Sequence, residues 1–209
     1  LIAADSGSGE LTRDVAASCG FELDSAGTSV IDHAHHVGDD ATLIVATRSA
    51  EVEVIVGSPL QSGVLFRGVG LATDPFNALA LELLTASRTA YSYSPSSNIS
   101  SYPMAVGKST VLVGGLEGRN HARVIISGSI DLFSDQFWVA AGSENMRFVR
   151  SVVGWVFGSK GKLQVGWMQH GLRQGGGSTD ASSKGVYTVG DLISYSVLVE
   201  AEAGGAVVG

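Results

Sequence analysis

Nine consecutive residues, Ser127-Gly128-Ser129-Ile130-Asp131-Leu132-Phe133-Ser134-Asp135, gather three hydroxyls and two carboxylates directly after an apolar run that reads as a strand. In α/β folds, ligands bind in loops beyond the carboxyl ends of parallel strands, so chemistry is sought here first. Hydroxyl and carboxylate together are the material of acyl transfer. One reading is therefore an α/β hydrolase or amidotransferase-like enzyme using Ser127, Ser129, Asp131 or Asp135. No nucleophile-elbow glycine spacing surrounds either serine, and no partner base accompanies them. The other reading is structural: these groups cap the following helix and satisfy loop amides.

Other candidates are thinner. Asp32-His33-Ala34-His35-His36 with Asp39-Asp40 is the densest set of metal-ligand types, and in a strand His33 and His35 would share a face. It lacks a distant fixed ligand and reads as a surface loop. Gly107-Lys108-Ser109-Thr110 has the end of a phosphate-binding loop. The first glycine is replaced by Tyr102, Pro103 removes an amide donor, and the motif precedes its strand. Gly7-Ser8-Gly9 carries Thr12 where a dinucleotide fingerprint wants its third glycine, and reads as a plain strand-to-helix turn. Cys19, the single cysteine, excludes an internal disulfide and reads as a small buried hydrophobe. Asn98-Ile99-Ser100 is an N-glycosylation acceptor sequence in a Ser/Pro-rich loop. Trp138, Trp155 and Trp167 are dispersed, as core or interface anchors are. No catalytic residue, cofactor site or metal site is assigned.

The elements that must position these groups follow from periodicity. Short β-rich runs alternating with helical patterns predict an α/β fold with a mainly parallel sheet. Strands are expected over 1–4, 42–46, 64–70, 110–113 and 122–126. Helices are expected over 10–19, with Gly20 as a left-handed stop, over 77–84 behind an Asp74-Pro75 start, and over 146–157, where Phe148, Val149, Val152, Val153 and Val156 fall at helical spacing. The polar stretch 174–185 is the best boundary. It divides an α/β domain, 1–173, from 186–209, whose alternation suits the first strand of a β-sandwich. Both ends read as cut within a longer protein, and no signal peptide or membrane span is visible.

Composition narrows the class. The 209 residues are 44% apolar with 28 glycines, which excludes a disordered or collagen-like chain. The net charge of −7 is concentrated in residues 1–53, where ten acids face two arginines. That balance argues against nucleic acid as a partner.

Ordered blocks then carry a resemblance. Val64-Leu65-Phe66-Arg67-Gly68-Val69-Gly70, Leu83-Leu84-Thr85-Ala86-Ser87 with Tyr91-Ser92, and Tyr102-Pro103-Met104-Ala105-Val106-Gly107-Lys108 are followed by Gly115-Leu116 and Arg119-Asn120-His121-Ala122-Arg123-Val124-Ile125. The 127–135 loop, Trp155-Val156-Phe157, and Tyr187-Thr188-Val189 with Asp191-Leu192 and Tyr195-Ser196 complete the series. Together they resemble the forty-eight-kilodalton, non-catalytic subunit family of the eukaryotic oligosaccharyltransferase complex. The resemblance implies a three-layer, class I glutamine amidotransferase-like α/β domain on the lumenal side of the endoplasmic reticulum (ER) membrane. β-Sandwich material and a membrane anchor absent from this chain would follow. It further implies that the catalytic subunit and other accessory subunits are partners, with contacts to lipid-linked oligosaccharide or acceptor peptide, while glycan transfer itself resides in another subunit. It assigns no catalytic residue here, and leaves the 127–135 loop (Ser127, Ser129, Asp131, Ser134, Asp135) as a contact surface or vestigial site. The segments 34–40 and 169–184 depart from the family pattern.

Overall fold

The computed structural model describes residues 1–48, 53–57, 60–159, 163–172 and 187–201. They belong to two compact units, Leu1–Gly158 and Ser159–Gly209. The 174–185 stretch expected to separate domains lies outside the described residues.

In the first unit the chain enters through β1 (Ile2–Ala3), α1 (Glu10–Ser18) and β2 (Phe21–Leu23). Next come β3 (Ser29–Ile31), β4 (His36–Val37), β5 (Asp40–Arg48) and a short α2 (Glu53–Val56). Strands β6 (Val64–Phe66), β7 (Leu71–Thr73), β8 (Ala80–Thr85), β9 (Tyr91–Tyr93), β10 (Val111–Glu117) and β11 (Arg123–Ser127) follow in turn. Two helices, α3 (Asp135–Trp138) and α4 (Asn145–Val156), close the unit.

Nine of these strands form one sheet in the order β1-β11-β10-β8-β5-β4, with β2 on β7, β7 on β10 and β6 on β5. A separate antiparallel ladder joins β3 to β9. Among the described residues the sole parallel pair is β1 with β11, Ile2 opposite Ile126. All other ladders are antiparallel. The mainly parallel, three-layer, amidotransferase-like architecture expected from the sequence is therefore wrong. The fold is mostly β, with curled, largely antiparallel sheets.

Burial explains the misreading. Continuous apolar runs usually mean strands covered on both faces, the hallmark of parallel sheets. Here Ile125 packs in one core with Phe148, Val152 and Trp155 of α4, while its neighbour Ile126 packs in another with Ala16 of α1 and Phe21. An antiparallel strand between two cores carries the same apolar run.

The second correction concerns 77–84. Alanine, leucine and glutamate favour helix, and Asp74-Pro75 imitates a helix start. Instead Asp74 Oδ1 accepts the Phe76 amide at 2.9 Å, closing an Asx turn, and residues 80–85 pair with β10. Leu83 and Leu84 have no exposed surface there. Burying two leucines stabilises by roughly 1.5–3 kcal/mol each, more than the small helix preference of the same residues.

Other elements form where periodicity puts them. α1 stops at Gly20, whose φ of +85° suits glycine. α4 buries Phe148, Val149, Val152 and Trp155 along one stripe. Arg123 of β11 ties α4 to the sheet: its Nη1 donates to the Trp155 carbonyl at 3.0 Å and its guanidinium lies 5.1 Å from the indole centroid.

In the second unit β12 (Leu163–Leu172) pairs antiparallel with β13 (Ile193–Ala201). A bulge between Val165 and Trp167 shifts the pleat by one residue. It puts Val165, Met168 and His170 on the same face as Ile193, Tyr195, Val197 and Val199. Before β13, Asp191 accepts the Thr188 amide and hydroxyl at 2.7 and 2.8 Å, so the alternating pattern from 187 begins in a turn. No helix among the described residues is long and apolar enough to cross a membrane.

Candidate functional site

The 127–135 loop leaves β11 and closes against the β6–β7 connection. Ser127 and Ser129 are fully buried. Ser127 Oγ donates to the Ser129 carbonyl at 3.0 Å and accepts the Ser129 amide at 3.2 Å. Ser129 Oγ donates to the Arg67 carbonyl at 2.6 Å and accepts the Leu132 amide at 3.1 Å. Both hydroxyl protons thus lie on backbone carbonyls. A catalytic serine needs its proton directed at a base, so the enzyme reading of this loop finds no support.

Two glycines allow the closure. The Gly128 carbonyl accepts the Val69 amide at 2.8 Å. A Cβ on Gly68 would stand 2.1 Å from the Gly128 oxygen, and one on Gly128 only 2.0 Å from the Val69 oxygen. The two backbones approach too closely for any side chain.

What reaches solvent is different chemistry. Arg67 Nε donates to Asp131 Oδ2 at 2.8 Å, with Nη2 at 2.7 Å from the same oxygen, and both side chains are 41% exposed. The guanidinium also sits 5.8 Å from the Phe137 ring centroid. Ile130, next to Asp131 in the chain, and Val139, just after α3, are 51% and 77% exposed. Ser134 occupies the position before α3, but its hydroxyl donates back to the Asp131 carbonyl at 2.7 Å and caps nothing. Asp135 is exposed at the first turn of α3. The solvent-facing part of the loop is therefore charged and partly apolar, above buried serines bonded to the backbone.

The histidine-rich segment organises differently from a metal site. Asp32 is fully buried where β3 ends, and its carboxylate accepts the Ser87 hydroxyl, the Thr89 hydroxyl at 2.7 Å, and the amides of Ala34 and His35 at 2.9 and 3.1 Å. Burial alone would push its pKa up. The hydrogen bonds from Ser87, Ala34, Thr89 and His35 outweigh burial and hold the carboxyl at about 2. His35 Nδ1 lies 3.0 Å from Thr89 Oγ1, and His33 Nε2 lies 3.1 Å from Tyr91 Oη. The two imidazoles thus take separate hydroxyl partners, and no group of three or more His, Cys, Asp or Glu among the described residues converges on a metal position. Sequence reading named Asp32 but missed Ser87 and Thr89, which lie 55 and 57 positions away with no local signal.

Of the remaining candidates, Gly107-Lys108-Ser109 is a 3₁₀ turn leading into β10, with Lys108 exposed. Cys19 is half-buried at the end of α1. Asn98 is exposed on the loop after β9. Trp155 is a core residue, Trp138 packs against the same core, and Trp167 is 49% exposed on β12.

Residues 1–159 match the family described as OST48, N-terminal domain. The dolichyl-diphosphooligosaccharide–protein glycosyltransferase 48 kDa subunit of Danio rerio is 41% identical over 222 residues, covering 98% of this chain and 49% of that protein. Its Drosophila melanogaster and Caenorhabditis elegans namesakes are 36% and 37% identical, each over 96% of this chain and 48% of theirs. The chain spans about half the length of these relatives. Among solved structures, the mmIFT52 N-terminal domain superposes with a TM-score of 0.52 at 12% identity, over 74% of this chain and 62% of that one. That likeness concerns the fold, and it is not to an amidotransferase-like parallel sheet. With the family match running unbroken over residues 1–159, the chain belongs to the OST48 N-terminal domain family.

Proposed function

We propose that this chain is part of a non-catalytic accessory subunit of the oligosaccharyltransferase, on the lumenal side of the ER membrane. That complex transfers a lipid-linked oligosaccharide to asparagine in Asn-x-Ser/Thr of nascent proteins. The chain scaffolds and stabilises the catalytic subunit, with other accessory subunits as further partners, and helps to position oligosaccharide or acceptor peptide. The observation that carries the reading is identity of 36–41% to 48 kDa subunits across nearly the whole chain. The geometry supports it: the serines that the alternative enzyme reading would use hold the loop closed, and the exposed Arg67–Asp131 pair with Ile130 suits protein contact.

A scaffold makes its partner's abundance depend on it. Depleting the protein from cells should lower the steady-state level of the catalytic subunit in step with occupancy of Asn-x-Ser/Thr sites, read by quantitative mass spectrometry. Unchanged abundance and unchanged occupancy would overturn the reading.

A further inference from the structure

Asn98-Ile99-Ser100 is the single Asn-x-Ser/Thr triplet in the chain, and nothing in the scaffold reading uses it. It lies on the loop that leaves β9, where residues 95–102 are all exposed and outside any helix or strand. A bulky hydrophilic graft at Asn98 would therefore displace no core side chain. Surface loops of this kind are where folded proteins carry N-linked glycans.

The triplet has two working parts, and the fold treats them differently. Asn98 supplies the amide nitrogen that receives the sugar, and the Ser100 hydroxyl marks the acceptor. Asn98 is exposed, whereas Ser100 is tied back: Tyr93 Oη accepts the Ser100 amide at 2.9 Å and lies 3.2 Å from the Ser100 hydroxyl. Inside this closure the Ser97 amide donates to the Ser94 carbonyl at 3.2 Å, and its hydroxyl to the Ser94 hydroxyl at 3.3 Å. Tyr93 is in turn anchored by the pairing of its strand with β3, where it stands opposite Ser29. An active site that reads asparagine and serine together needs both free. The folded loop offers the asparagine and withholds the serine.

We propose that Asn98 is an N-glycosylation site of this protein, modified while the chain is unfolded and shielded from modification once Tyr93 and Ser100 close the loop. The inference rests on the lumenal accessory-subunit reading, which puts the chain where the transferase acts. In the step itself the Asn98 amide nitrogen bonds to the anomeric carbon of a lipid-linked diphosphooligosaccharide. The carbon–oxygen bond to the diphosphate breaks, the lipid diphosphate leaves with the electron pair, and one amide proton passes to solvent. The protein is then a substrate of the complex it serves.

Two measurements test this. Full-length protein recovered from ER membranes should fall in mass on endoglycosidase digestion, and Asn98→Gln protein should lack the mass of one glycan while keeping its melting temperature, since residue 98 is exposed. In the second, the 209-residue chain made in bacteria and a peptide of residues 94–104 are each offered to solubilised oligosaccharyltransferase with lipid-linked oligosaccharide. The peptide should be modified at least about tenfold faster than the folded chain, because opening the loop gives up two hydrogen bonds. Folded Tyr93→Phe chain should fall between them. Absence of a glycan at Asn98, on protein that copurifies with the transferase subunits, would overturn the site and leave the scaffold reading standing. Equal rates for peptide and folded chain, or no gain from Tyr93→Phe, would overturn the shielding. Protein found outside ER membranes would instead overturn the accessory-subunit reading itself.

Discussion

Asp32 shows how a single carboxylate organises this surface, because four donors from two segments meet on a group with no exposed area. Its folded pKa of about 2 lies below the unfolded value near 3.8. The ionised form is thus the one the fold stabilises. The contribution is fully present above about pH 4 and is lost as pH falls through about 2. Urea titrations between pH 7 and 2 should show this loss, with Asp32→Asn roughly 2 kcal/mol less stable at neutral pH and flatter across the acid range. Equal acid slopes would contradict it. Tyr93 offers a second titration. Its phenol is held at about 8 by the Ser100 hydroxyl, then by the Ser100 amide, with Ser101 adding to them. Absorbance at the phenolate band should show a step near pH 8 that is missing in Tyr93→Phe. Of these residue-scale features, the sequence displays the hydroxyls and carboxylates but not their partners: the Arg67 carbonyl that receives the Ser129 proton lies 62 positions away.

At the scale of elements, legibility follows how local the cause is. The stripe of α4 and the glycine stop of α1 depend on neighbours within a turn or two, and both lie where periodicity places them. β8 depends on β10, and nothing within 80–85 announces that partner. Strand direction is less legible still, since burial on both faces writes the same apolar run into parallel and antiparallel strands. Two substitutions test the packing. Leu83→Ala should cost about 2–5 kcal/mol, because the side chain is fully buried in β8. Gly128→Ala should cost at least about 2 kcal/mol, since the added Cβ meets the Val69 carbonyl. Shifts in urea midpoint would check both, and a change below 0.5 kcal/mol at either position would contradict the packing described.

At the scale of the molecule, the two apolar cores found among the described residues are built from residues of the first unit. A chain ending at Gly158 should therefore fold cooperatively, with a melting temperature within a few degrees of the longer chain; non-cooperative unfolding would show that the second unit completes the core. Among the described residues, the two strands of the second unit gather Val165, Met168, Tyr195, Val197 and Val199 on one exposed face. Function sits at this scale as well. The hydroxyl protons of Ser127 and Ser129 rest on backbone carbonyls, and the exposed Arg67–Asp131 pair is the part of the 127–135 region that the scaffold proposal would use. The most direct measurement is therefore affinity purification of the tagged full-length protein from detergent-solubilised ER membranes. Recovery of the catalytic and other oligosaccharyltransferase subunits in stoichiometric amounts is expected; recovery of the protein alone, as a monomer, would contradict the scaffold reading.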